Sequence, residues 1–85
     1  MIEYITEGTE FMRLSDGIKG NTYYIGSIDL GENITRRLQM LGMTHGTRID
    51  VLGKKRAGAM IVKVRGTRFA LGRGFCGGIF VEESK

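Results

Sequence analysis

Fourteen glycines and no proline punctuate this chain of 85 residues, and the glycines fall between short segments in which apolar and polar residues alternate. Glycine makes up roughly 7% of an average protein, so this chain carries about twice the usual share. No Gly-x-y period accompanies it, which excludes a collagen-like rod. Glycines spaced in this way mark tight turns and sharp strand bends, the devices a small barrel needs. The length sets one domain, burying roughly 60–65% of the surface its unfolded chain would expose. A hydrophobic share of 41% and a charged share of 26% are ordinary for a globular protein and argue against disorder.

The first dozen residues show no clear period. Ile2, Tyr4 and Phe11 suit an edge strand or a disordered lead-in, so residues 1–13 are set apart from a folded unit spanning 14–85. Leu14-Ser15-Asp16 reads as a short turn. The stretch from Tyr23 to Leu30 is the first strand, with a change of phase at Gly26 that predicts a bulge or bend. Ile34, Leu38 and Leu41 fall at i, i+4 and i+7, which predicts a helix over 33–41 with Asn33 as N-cap and Gly42 as left-handed C-cap. This helix of about two and a half turns is too short to stand alone and is expected to plug one end of the barrel.

Beyond Gly46 the period changes to two. Arg48–Val51 and Met60–Arg65 alternate, with Val62 and Val64 facing inward and Lys63 and Arg65 outward. Gly53–Gly58 forms a basic-tipped loop between them. Gly66-Thr67 then reads as a type II′ hairpin turn leading to Arg68–Leu71. A glycine-rich link and a last strand, Ile79-Phe80-Val81, follow. The fold expected is mainly β: a small, partly open SH3-like barrel of about five strands with one short helix.

Cys76 is the only cysteine, so no internal disulfide can form, and the cytoplasm is the expected compartment. No apolar run approaches the ~20 residues of a membrane span. The formal charge is +4, but three of the nine acidic residues, Glu3, Glu7 and Glu10, lie in the first ten positions, where no Lys or Arg occurs. Thirteen basic residues therefore face six acidic ones from residue 11 onward. That balance favours an anionic partner without choosing among protein, lipid and nucleic acid.

Few residues carry chemistry. Gly72-Arg73-Gly74-Phe75-Cys76-Gly77 matches the dinucleotide fingerprint G-x-G-x-x-G, but too little chain follows for the helix and parallel strand that the mechanism needs. His45 and Cys76 are the only soft or borderline metal ligands, short of the three or four that a zinc site takes. They are weak metal candidates, at most a divalent-metal contact shared across a homodimer. The plainer reading puts His45 in an exposed turn and Cys76 in packing, and no pocket-sized volume is expected. No catalytic residue emerges. Arg36 and Arg37 on the helix, flanked by Met40 and Met43, form the expected partner face, since flexible Met side chains suit adaptable contacts. Lys54, Lys55 and Arg56 are the alternative, phosphate-binding group.

The run Thr35-Arg36-Arg37-Leu38-Gln39-Met40-Leu41-Gly42-Met43-Thr44-His45-Gly46-Thr47-Arg48-Ile49-Asp50-Val51 resembles the FeoA family, with its Arg-rich helix and Leu-Gly-hydrophobic ending. Val64-Arg65-Gly66-Thr67-Arg68-Phe69-Ala70-Leu71 is similar to the family's V-x-G-x-x-x-x-L hairpin, and Leu14-Ser15-Asp16 to its opening. Two departures are a missing proline before Gly46 and a glycine-rich 72–78 in place of a short charged helical turn. The resemblance implies a non-catalytic cytoplasmic accessory of a bacterial ferrous-iron transport system. It would act by contact with the cytoplasmic side of a FeoB-like permease, recruited to the inner face of the membrane and holding no resident cofactor. The same barrel closes iron-dependent repressors, but this chain has no room for their DNA-binding helices. The alternative function is a nucleic-acid-binding barrel using Lys54, Lys55, Arg56, Lys63, Arg65 and Arg68. It lacks an exposed aromatic platform, because Phe69, Phe75 and Phe80 are expected to pack inside.

Overall fold

The computed structural model describes residues 11–83. Six strands form one antiparallel sheet: β1 (Phe11–Arg13), β2 (Thr22–Ile28), β3 (Arg48–Lys54), β4 (Met60–Val64), β5 (Thr67–Leu71) and β6 (Ile79–Glu82). Their order is β1-β6-β2-β3-β4-β5, so β1 and β5 are its two edges and the SH3-like barrel is partly open. Helix α1 (Glu32–Met40) lies between β2 and β3, and a second helical turn, α2 (Arg73–Cys76), joins β5 to β6. Leu14–Asp16 forms a single 3-10 turn. One strand more than expected arises because Phe11–Arg13 pairs with β6, Met12 opposite Val81. The reading of Ile2 and Tyr4 lies outside the described residues.

The core follows the period-two pattern. Ile49 and Val51 on β3, Met60, Val62 and Val64 on β4, and Ile79 and Val81 on β6 all point inward and are buried. Tyr23 and Ile25 of β2 join them, with Leu14, Leu38, Met43, Leu71 and Cys76. Each such large apolar side chain contributes roughly 1.5–3 kcal/mol by leaving water. Tyr23 also buries its hydroxyl without loss, because the Ile18 N–H donates to it at 2.9 Å. At Gly26 the β2–β6 register shifts between Ile25 and Ser27, as the change of phase predicts. The Phe11 ring lies over this glycine, and a Cβ there would overlap it.

Three local expectations are corrected. Helix α1 starts two residues earlier than expected: Gly31, at φ 85°, is the N-cap residue in place of Asn33, and its carbonyl accepts the first helical bond from Thr35 N–H. Asn33 therefore sits inside the first turn. The β4–β5 loop is Arg65-Gly66, with Val64 opposite Thr67, so glycine is its second residue. Both loop residues have positive φ, 52° and 84°, which makes the turn type I′ rather than II′. Residues 72–78 do contain a helical turn: the Gly72 carbonyl accepts from Phe75 N–H at 3.0 Å and Cys76 N–H at 3.2 Å. The departure noted there from the family's pattern is one of composition, not of conformation.

Candidate functional site

The end of α1 decides which of its side chains reach the surface. Gly42 has φ 100°, its N–H donates to the Gln39 carbonyl, and the Met43 N–H donates to the Leu38 carbonyl, each at 3.0 Å. That pair of bonds is a Schellman motif, which brings the residue after the glycine back against the last helical turn. Met43 is accordingly buried in the core with Leu38. It cannot belong to a partner face, which corrects the expectation for that residue.

The remaining three candidates separate onto two stripes. Glu32, Arg36 and Met40 follow one another at i+4 on the solvated side, where Arg36 pairs with Glu32 at 3.1 Å. Both partners are exposed, so the pair stabilises the fold by no more than about 1 kcal/mol. Arg37 lies on the other stripe with Ile34 and Leu41. This stripe faces β5 and α2 across an apolar groove of about 220 Å³, floored by Leu38 and Leu71 and closed by Phe69 and Phe75. Leu41 is 46% and Phe75 38% exposed. Arg37 stands at the rim without an ion-pair partner among the described residues. Leu41 and Phe75 are the site residues that sequence reasoning missed. The helix stripe contained the signal for Leu41, whereas Phe75 depends on α2.

The alternative basic group is spread out. Lys54 ends β3 and donates to the Ser15 carbonyl at 3.2 Å, while Lys55 and Arg56 are exposed at the hairpin tip. Lys63 and Arg68 stand opposite each other on the outward face of β4 and β5. A cleft of about 740 Å³ opens beside Lys63 and Arg65, so the expectation that no pocket-sized volume exists is corrected.

His45 is exposed in the loop before β3. Cys76 is buried, its thiol donating to the Leu71 carbonyl at 3.5 Å. Among the described residues no three His, Cys, Asp or Glu side chains converge on a metal-sized site. Burial pushes the Cys76 thiol up from its ordinary range. Folding therefore favours the protonated thiol, and stability falls once pH rises past the ordinary thiol value, where only the unfolded chain ionises. Cys76 is expected to resist iodoacetamide in the folded protein at pH 8 and to react fully in denaturant, read by mass spectrometry. Rapid labelling of the folded protein would contradict its burial. The G-x-G-x-x-G stretch holds only the four-residue α2 and leads into β6, which is antiparallel to β2. The dinucleotide geometry is not built.

Among the described residues no helix is long and apolar enough to cross a membrane. The profile of the FeoA domain matches residues 12–83. A crystal structure of an iron uptake regulatory protein (FeoA) superposes with a TM-score of 0.78 at 33% identity, covering 86% of this chain and 97% of that one. FeoA of Stenotrophomonas maltophilia, solved with zinc, superposes at 0.73 with 32% identity over 84% and 89% of the two chains. IdeR of T. acidophilum shares the fold at 0.79 and 20% identity, over 92% of this chain and 36% of that one. No curated protein matches significantly. A profile that takes in all but the two ends of the chain, on the expected partly open barrel, settles its kinship: the chain belongs to the FeoA family, which is associated with ferrous iron transport.

Proposed function

We propose that this chain is a non-catalytic cytoplasmic accessory of ferrous-iron transport that docks, through the α1–α2 groove, on the cytoplasmic part of a FeoB-like permease. The observation that carries the reading is the pair of half-exposed apolar side chains, Leu41 and Phe75, flanking a groove with Arg37 at its rim. An apolar centre beside a basic rim fits an apolar segment flanked by acidic residues. The S. maltophilia relative is described as a candidate ferrous iron transport activating factor, which agrees in direction.

The test measures binding to the purified cytoplasmic region of the permease and to mixed-sequence nucleic acid, side by side at physiological salt. Permease binding without nucleic-acid binding is expected. Nucleic-acid binding that falls steeply with salt, with no permease affinity, would replace this reading by the alternative one. Arg37→Glu is expected to weaken permease binding several-fold, chiefly through slower association. Arg36→Glu, on the solvated stripe, should change it less. Equal effects would mean that the groove is not the contact.

A further inference from the structure

The cleft beside the β4–β5 turn has a different chemistry from the groove. Three cations reach it from three segments: Arg48 at the start of β3, Lys63 on the outward face of β4, and Arg65 in the turn. Its one carboxylate, Asp50, is already engaged. It accepts from Thr22 Oγ1 at 2.8 Å and from Arg48 Nε at 3.0 Å, and the Thr22 hydrogen bond, with help from Arg48, holds it below its ordinary carboxylate range. Asp50 offsets one positive charge. Lys63 stands directly across the strand pair from Asp50, yet neither Lys63 nor Arg65 forms an ion pair among the described residues.

Arg65 is the unusual member. It is the one non-glycine residue with positive φ among those described, at a turn position where Asn or Asp is the comfortable choice. Its side chain runs over Gly42, where a Cβ would come within 2.7 Å of Arg65 Cδ. Its Nε donates to the Gly42 carbonyl at 3.4 Å. A residue kept in a costly backbone state points to work done by its side chain. Here the stem is fixed on the end of α1, and both Nη nitrogens are left without a protein acceptor among the described residues. At the rim, Thr44 Oγ1 and Thr47 Oγ1 lie 2.9 Å apart. One hydroxyl donates to the other, which leaves the second with a proton for a ligand.

We infer that this cleft binds a phosphate-bearing anion, held by Arg48, Lys63 and Arg65 with the Thr44–Thr47 hydroxyls at its edge. Two uncompensated charges match a phosphate dianion, whereas a single carboxylate would leave one of them unmet. The site does not depend on the docking groove or on the permease. A soluble compound and a lipid headgroup offer the same phosphate chemistry, and the test separates the two.

The full chain is titrated with inorganic phosphate and with pyrophosphate at constant ionic strength, following amide resonances by NMR. In parallel it is co-sedimented with vesicles of phosphatidylglycerol and phosphatidylcholine. Saturable shifts confined to residues 44–48 and 63–66 are expected for the soluble probes if the ligand is soluble, and vesicle binding alone if it is a headgroup. The double substitution K63Q/R65N should lower whichever affinity is found by about tenfold or more. Asn-Gly is the preferred pair for this turn, so R65N retains the fold, which a thermal melt checks. R73Q, whose side chain lies against Gly58 at the opposite end of the β3–β4 hairpin, should leave affinity unchanged. Silence from all three probes overturns the site, as does equal weakening by R73Q.

Discussion

Met43→Ala is expected to destabilise the protein by about 2–5 kcal/mol, the range for truncating a buried large aliphatic side chain. For a domain of this size each kcal/mol moves Tm by roughly 4–8 °C, so the melting transition should drop by about 8 °C or more. Met40→Ala, three residues earlier, should stay within about 0.5 kcal/mol, because Met40 is 81% exposed. Urea unfolding of the two variants against the parent checks both, with an unchanged m-value showing that stability alone has moved. The contrast tests the Schellman closure directly. Two similar and small effects would mean that Met43 is not in the core. A Met43→Ala variant with normal stability and weakened partner binding would restore the partner-face role expected of it beside Arg36 and Arg37.

Grouping Met43 with the helix arginines shows where a reading along the sequence stops being valid. Arg36, Met40 and Met43 stand at i, i+4 and i+7, and they share a face only if the helix continues to residue 43. It stops at Met40, and the left-handed Gly42 turns the next residue inward. Gly42 is legible as a C-cap in the sequence, whereas the inward apolar contact of the Met that follows it depends on the closure geometry. The strands were easier, because the alternation of Met60, Val62 and Val64 leaves only one way to bury a face. Gly26 likewise marked its bulge correctly.

Helix α2 was hidden for the opposite reason. Gly74, inside the turn, disfavours helix by up to about 1 kcal/mol, and the glycines on either side of it read as loop. Two hydrogen bonds to the Gly72 carbonyl and the burial of Cys76 outweigh it. Phe75 is thereby carried to the groove, where no reading of isolated segments places it. The β4–β5 turn failed by a single residue: assigning Gly66 to its first position instead of its second changes the turn type. It also hides the strained Arg65 on which the anion site rests.

On the proposed docking, Leu41→Asp should reduce binding to the cytoplasmic region of a FeoB-like permease by at least about tenfold, since half-exposed apolar residues in a docking groove are where binding energy concentrates. The substitution carries a complication. Leu41 is the C-cap of α1, and a carboxylate there opposes the helix dipole by about 0.3–1 kcal/mol. Leu41→Lys has the opposite sign, because a cation at the same place favours the helix. The two variants should therefore differ slightly in Tm, the lysine form higher, while both lose the apolar contact. Calorimetric titration of both, with Phe75→Ala as a third, separates contact from stability. Loss of binding in the Asp and Lys variants alike assigns the effect to the groove. Loss in the Asp variant alone would trace it to charge or to fraying of α1, and full affinity in all three would remove the α1–α2 groove as the docking surface.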